Sequence, residues 1–523
     1  MASLTKEQLN ELSKDELVSM FLDMQKDMAV LKEKMAVLSA NMFGRRTEKL
    51  SSVNPDQVTF FNEAEAVADG TDCEETEEIT ITRKKTRGKR KTDLSKLPKV
   101  EISHELSEEE LKAVFGENGW KRLPDQIYTK LEVEPAKYWV AEHHIAVYAS
   151  KNSDKIVKAD HPAELFNNSI ATPSVAAGIL NAKYANAMPL YRIEKELDAN
   201  GVYISRQDMA NWVIKCSERY LCLLYDRMHE ILRTKHVLQA DETSVYVTKG
   251  GKPAGCNSEM WVYRTGEYDR ENPIILFKYS PGRAATNPLE FLKGFKGYLE
   301  CDAYSGYHKV ERVSDDIDIC CCWAHARRRF ADALKAYGRT KPGAKDTLAF
   351  KALEKIAAIY NLEEKFKSLS PDERKKRRQT TIKRRVDAFF AWAKEHLYDT
   401  GMKDKTWEGF NYCINNEKYL RRFLDDGEIP IDNSATERAI RPFTVFRKTW
   451  KLIDTPSGAD ASAVMYSIVE TAKANNLKIY DYFKLLLEEI PKHVDGSSLD
   501  FIDDLLPWSQ TIRNKCSKPS RPR

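Results

Sequence analysis

From Leu17 to Met42 the apolar residues alternate between two positions of a seven-residue repeat. Phe21, Met28, Met35 and Met42 occupy one position; Leu17, Met24, Leu31 and Leu38 occupy the other. Charged and polar residues fill most of the remaining positions and Gly44 follows as a stop, so the pattern predicts a coiled coil within residues 1–50 and self-association through it. A helix packed on its own protein would carry a similar stripe. Periodicity is lost over 51–94, a linker by composition. Residues 95–165 mix strand-like pieces (QIYTKLEVE, KYWVAEHHIAVYAS) with a helical one (SEEELKAVF), predicting a small α+β module. Over 166–234 the pattern is helical: TPSVAAGILNAKYANAM, then PLYRIEKELDAN opening at Pro189 and meeting Gly201, then a long helix capped by Ser205. Two helices across a short turn fit a helix-turn-helix, with Arg206, Gln207 and Asn211 facing a DNA groove. An ordinary helical hairpin fits the spacing equally well.

The period changes at HVLQADETSVYV (236–247). MWVYRTGEY (260–268) and PIILFKYS (273–280) also read as strands, NPLEFLKGF (287–295) as a helix, and GYLECDAYSGY (297–307) as a strand again. Three strands with hairpin-length links, a helix and a further strand give an α/β core with a mixed sheet, in the order of a ribonuclease-H-like fold.

Two of these strands place an acid among apolar neighbours, Asp241 and Asp302. A buried unpaired carboxylate costs several kcal/mol, so each needs a cation, a hydrogen-bond network or a proton. Acids on adjacent central strands would share one space, where the simplest partner is a divalent ion with oxygen ligands, Mg²⁺ or Mn²⁺. An aspartate closing a turn is the competing reading, and it suits Asp302, followed by AYSG, better than Asp241. Glu242 should face away from Asp241 by strand alternation. A third acid, Glu437, lies in IDNSATERAIRPFTVFRKTWKL (431–452) beside Arg438, Arg441, Arg447 and Lys448, cations suited to phosphate; Ser434 and Glu437 also fit a helix capping box. In CCCWAHARRRFADALK (320–335) the three cysteines are expected to be buried. His325, Arg327, Arg328 and Arg329 then open a helix, either as a solvated basic face or with His325 or an arginine at a phosphate.

Composition adds bounds. At 523 residues, with 42 % apolar and 10 % aromatic residues, the chain has enough for roughly three or four cores. The net charge of +4 demands no nucleic-acid partner, yet EETEE (74–78) precedes RKKTRGKRK (83–91), a basic run that is either a solvated linker or an arm for phosphates. Ten cysteines without a C-x-x-C pair indicate reduced thiols. His143 and His144, on opposite strand faces, do not make a metal site. No apolar run spans a bilayer and the N-terminus lacks a secretion layout, so a cytoplasmic protein without a membrane partner is expected.

The ordered set MFGRRTEKL, PLYRIEKEL, ADET, GYLECDAYSGY, CWAHARRRF, IDNSATERAIRPFTVFRKTW, YSIVETAKANNL and FIDDLLPW covers nearly the whole chain and resembles transposases of the insertion-sequence-66 family, DDE enzymes of the ribonuclease-H-like class. The resemblance implies that Asp241, Asp302 and Glu437 are the acidic triad holding two Mg²⁺ or Mn²⁺ ions for DNA cleavage and strand transfer at terminal inverted repeats. It also implies a core of 235–330 and 431–490 split by a helical, Lys- and Arg-rich insertion over 331–430 that contacts DNA, a tail at 491–523, and accessory transposition proteins. The family's small zinc module before the helix-turn-helix has no counterpart in cysteines here, since none lies between Cys73 and Cys216; the 95–165 module is expected to keep its shape without zinc. An inactive relative acting as a DNA-binding repressor is the alternative.

Overall fold

The computed structural model describes residues 169–251, 257–400, 404–450, 452–494 and 498–519, with 137–149, 156–158, 164–167 and isolated positions further upstream. The predicted coiled coil, the basic linker and most of the 95–165 module lie outside the described residues. The chain divides into two compact units, one gathering 162–518 with 1–62 and the other gathering 63–161 with 519–523. In the second, β1 (Val147–Ala149) pairs antiparallel with β2 (Ile156–Lys158). Residues 137–146 were expected to be part of that strand but are irregular, with Trp139, Val140, His143 and His144 exposed. Alternation produces a strand only when the backbone finds a pairing edge and the side chains a surface to cover.

Among the described residues of 162–518, four α-helices precede the sheet: α1 (Pro173–Leu180), α2 (Leu190–Ala199), α3 (Arg206–Cys216) and α4 (Cys222–Leu232). Their ends follow local chemistry. The Thr172 side chain accepts from Val175 N ahead of Pro173, and Ser205 accepts from Asp208 N, each satisfying a helix N–H that has no partner in the helix. Gly201, at φ +77°, makes the turn from α2 to α3. The α1 helix passes into a π-helical turn, Asn181–Ala185, sooner than the sequence predicts, and another, Ser217–Leu221, fuses α3 to α4. Met209, Trp212, Val213 and Cys216 form the buried face of α3, while Arg206, Gln207 and Asn211 are exposed on the other.

The sheet has the order β5-β4-β3-β6-β7, from β3 (Val237–Val245), β4 (Ser258–Thr265), β5 (Ile275–Ser280), β6 (Gly297–Cys301) and β7 (Ile317–Cys321). Strand β4 runs antiparallel to both β3 and β5, and β6 and β7 run parallel to β3. The connections over 246–257 and 266–274 are longer than hairpin turns. Helix α5 (Thr286–Phe291) leads into β6, which ends at Cys301, short of the predicted 307; the chain turns there into α6 (Ser305–Val313). Strand β7 was not expected. It holds Cys320 and Cys321, buried as predicted, and α7 (Trp323–Tyr337) starts two residues before His325.

Helices α7, α8 (Leu348–Phe366), α9 (Pro371–Arg377), α10 (Lys383–His396), α11 (Lys405–Asn415) and α12 (Glu417–Arg421) enclose a core of their own around Trp323, Phe330, Phe389, Phe410 and Phe423. Gly409 permits the close approach of α11 to α7, since a Cβ there would lie 2.7 Å from the Phe330 ring. The basic residues of this insertion divide: Lys375, Lys376, Arg384 and Arg385 are exposed, whereas Arg374 and Arg378 are buried. After it come α13 (Ser434–Trp450), α14 (Pro456–Ala474) and α15 (Ile479–Glu489). Helix α14 closes the open edge of β5: Ser467 Oγ accepts from Phe277 N at 2.7 Å, and Thr471 Oγ1 accepts from Ile275 N at 3.0 Å, pairing backbone donors that an edge strand would otherwise leave bare. The segment read as a tail is folded, with α16 (Phe501–Asp504) and α17 (Gln510–Cys516) tied to α15 by a Tyr482 hydroxyl bond to the Leu505 carbonyl at 2.8 Å. Among the described residues no helix is long and apolar enough to cross a membrane.

Candidate active site

Strands β3 and β6 are parallel, with Val237, Leu238 and Gln239 opposite Tyr298, Leu299 and Glu300. Carried two residues further, that register sets Asp241 level with Asp302, at the carboxyl end of the pair where α/β sheets open a crevice. One oxygen of each acid is used locally. Asp241 Oδ1 accepts from Glu242 N at 2.9 Å, and Asp302 Oδ1 accepts from Tyr304 N at 2.9 Å. Asp302 therefore closes the turn from β6 into α6 and still has Oδ2 for the crevice, so its two sequence readings are compatible.

Glu437 arrives from a distant part of the chain on the first turn of α13, and that turn is fastened to β3. The buried Asn433 side chain donates to the Ala240 carbonyl at 2.7 Å and accepts from Gln239 Nε2 at 3.3 Å. Asp432 Oδ1 accepts from Ser434 N at 3.0 Å, and Arg264 donates to the Ala435 carbonyl at 2.9 Å. The helix begins at Ser434, placing that serine inside the first turn rather than at the cap. Arg328 Nη2 lies 3.4 Å from both Glu437 oxygens, and His325 Nε2 is 3.7 Å from Oε1. Asn433→Ala is expected to cost about 1–3 kcal/mol in urea unfolding, because it removes the side-chain donor to the Ala240 carbonyl and leaves the buried Gln239 amide only the Asp432 carbonyl. A loss below about 0.5 kcal/mol, the scale of a neutral surface substitution, would mean that this fastening does not hold α13.

The electrostatics mark the crevice. Burial pushes the Asp241 carboxyl well above the usual aspartate range, and Glu242, Glu437 and Asp302 push it further. Asp241 thus feels both of the other predicted acids. Burial and Asp302 raise Glu242, against the pull of Arg283 and Tyr307. Burial and then Arg328 lower His325, which favours its neutral imidazole.

The remaining predicted residues are dispersed. Arg438 donates to Glu267 at 3.2 Å, Arg441 is half-buried, and Arg447 and exposed Lys448 lie in the last part of α13. Arg206, Gln207 and Asn211 belong to the separate surface on α3. Arg283 and Tyr307 were missed by sequence reasoning. Arg283 Nε donates to Glu242 Oε1 at 2.8 Å, with Nη2 on the same oxygen, and the Tyr307 hydroxyl donates to Glu242 Oε2 at 2.9 Å. The only local signal for Arg283 was the SPGR turn after a strand.

Among the described residues no three histidine, cysteine or acidic side chains form a ready-made ligand set. The chemistry of the donors nevertheless suits a hard divalent ion: they are carboxylate oxygens, and Asp241 and Asp302 each keep one oxygen beyond the backbone bonds above. After burial, the influences on Asp241 are three other acids, opposed only by one backbone N–H, an imbalance that a cation would relieve.

The family model described as "Transposase IS66 family" matches residues 168–461, enclosing the whole sheet, the insertion and α13. A model for the "IS66 C-terminal element" matches 467–508, and one described as "Transposase C of IS166 homeodomain" matches 30–102, overlapping the segments read as coiled coil and linker. Uncharacterized protein y4qI of Sinorhizobium fredii is 28 % identical over 90 % of this chain and 87 % of its own length. Uncharacterized protein y4jD of the same organism is 25 % identical over 97 % of this chain and 98 % of its own.

Proposed function

Because the chain belongs to the IS66 family of transposases, we propose that it binds the terminal inverted repeats of an insertion sequence and catalyses metal-dependent DNA cleavage and strand transfer with Asp241, Asp302 and Glu437. The observation that carries this reading is that half-buried Asp241, level with Asp302 in the β3–β6 register, feels the charge of both other acids, although the three come from distant parts of the chain. The strand order, with three antiparallel strands followed by two parallel ones, supports a ribonuclease-H-like core.

The three carboxylates would hold two Mg²⁺ or Mn²⁺ ions, which when bound supply Lewis acidity to the attacked phosphodiester. The chain's own part is positional. Asn433 and Gln239 fix the start of α13 against β3, and Arg328 and His325 hold the Glu437 carboxylate at the crevice. The exposed face of α3 and the homeodomain-like 30–102 region are the proposed DNA contacts, with self-association through residues 1–50, accessory transposition proteins and a cytoplasmic location completing the reading. The engagement of Glu437 by Arg328 favours one second reading: an inactive relative that binds element ends as a repressor.

A duplex carrying the element's terminal repeats separates the two. The enzyme is expected to nick it at the repeat boundary in Mg²⁺ or Mn²⁺ and to join the freed 3′-end to a target strand. Tight end binding without nicking in either ion would establish the repressor instead.

A further inference from the structure

Arg283 is held in a geometry that charge balance alone does not require. Its loop, 281–285 between β5 and α5, is fixed from several sides. The Gly282 carbonyl accepts from Ser280 Oγ at 2.8 Å and Asn287 Nδ2 at 2.7 Å, and the Arg283 carbonyl accepts from the Tyr304 hydroxyl. The guanidinium lies 3.9 Å from the centre of the Tyr304 ring, and its Nη2 stands 3.8 Å from Asp302 Oδ2. Glu242, whose side chain is 4 % exposed, spends both oxygens on Arg283 and Tyr307, yet the Arg283 side chain is 46 % exposed.

A counter-ion for Glu242 would need neither that exposure, nor an aromatic plate, nor a place beside Asp302. A planar guanidinium locked along one edge, with donors left over, matches the bidentate recognition of a phosphate. A DNA strand brought to the crevice adds negative charge where four carboxylates already gather, so a fixed cation at its rim offsets that cost. We infer that Arg283 clamps a backbone phosphate of the DNA strand held at Asp241 and Asp302, with Glu242 and Tyr304 as positioning residues for the clamp. This rests on the proposed function, and it gives Glu242 a role other than metal ligand.

The test is a scan of end-DNA duplexes, each bearing one neutral methylphosphonate near the cleavage position. Affinity is measured in Ca²⁺ and nicking in Mg²⁺, for the full-length protein and for Arg283→Ala, Arg283→Gln and Glu242→Gln. At one position the neutral phosphate is expected to weaken the unsubstituted protein roughly tenfold to a hundredfold, the effect of one lost charged hydrogen bond. Either Arg283 variant should be indifferent there, and Glu242→Gln should respond less than the unsubstituted protein. The slope of log affinity against log salt should also fall by about one for Arg283→Ala. Arg283→Gln, which keeps a donor for Glu242, guards against a folding defect in the alanine variant. If every methylphosphonate affects the Arg283 variants by the same factor as the unsubstituted protein, the clamp is overturned while nicking leaves the function standing. A position-specific loss of affinity without nicking by any form leaves the clamp standing and overturns the catalytic reading.

Discussion

Asp241→Asn is expected to abolish metal-dependent nicking of end DNA, leave end binding intact, and raise the melting temperature of the metal-free protein. The loss of rate should exceed the roughly 10–100-fold that follows when only a residue supporting a ligand is removed. The gain in stability has a separate cause. Asp241 is half-buried, and desolvation together with Glu242, Glu437 and Asp302 pushes its carboxyl well up, so the fold holds the proton more tightly than the unfolded chain does. Such a group contributes no penalty below the ordinary aspartate value of about 4. The penalty grows as pH rises from there to the raised folded value and stays in full above it. At neutral pH in EDTA, asparagine should therefore stabilise the protein and raise its melting temperature. The difference between the two proteins should shrink as pH falls toward 4. Calorimetry at two pH values checks this, and an asparagine variant that melts lower at neutral pH would remove the electrostatic argument for a metal at Asp241.

The sequence showed some of this site and hid the rest, for identifiable reasons. Strands β3 to β6 were legible because β-branched and aromatic residues alternate there; alternation also led to the expectation that Glu242 faces away, yet its charge acts on Asp241 ahead of Glu437 and Asp302. Strand β7 was not legible, since IDICC is short and its cysteines suit a helix or a strand equally. The end of β6 was misplaced because a tyrosine-rich run continues the strand pattern past Asp302, while the turn is made by a side-chain bond to Tyr304 N. The helices α2 and α3 were legible from Pro189, Gly201 and Ser205, whose effects are local. The fastening of α13 beside Asp241 depends on Asn433 and Ala240, 193 residues apart. The pairing of Arg283 with Glu242 likewise links separate segments. Nothing in local spacing encodes either contact, and nothing in the composition of the Lys- and Arg-rich insertion separates its interior arginines, Arg374 and Arg378, from the exposed ones.

One of those arginines supports the other large expectation, that Glu363→Ala destabilises the protein by about 3–5 kcal/mol. The Arg378 side chain is 0 % exposed and that of Glu363 only 5 %. Arg378 Nε donates to Glu363 Oε2 at 3.0 Å and Nη2 to Oε1, while Nη1 donates to the carbonyls of Phe423 at 2.7 Å and Asp426 at 2.6 Å. Removing the glutamate leaves a full positive charge in the interior without its partner, which costs more than the pair contributes. The pair also joins α8 to the segment 423–426, from which the chain runs through buried Ile429 and Ile431 to Asn433. Loosening it should therefore lower nicking by more than the unfolded fraction accounts for, since the placement of Glu437 depends on that segment. Replacing both residues, as Glu363→Leu with Arg378→Met, should recover much of the stability, because well-packed apolar side chains often replace a buried ion pair at little cost. The apolar pair cannot bond the Phe423 and Asp426 carbonyls, so nicking should recover less than stability does. Urea unfolding of the single and double variants measures the first difference. If Glu363→Ala proved no worse than the double substitution, the stranded charge would not be what Glu363 prevents.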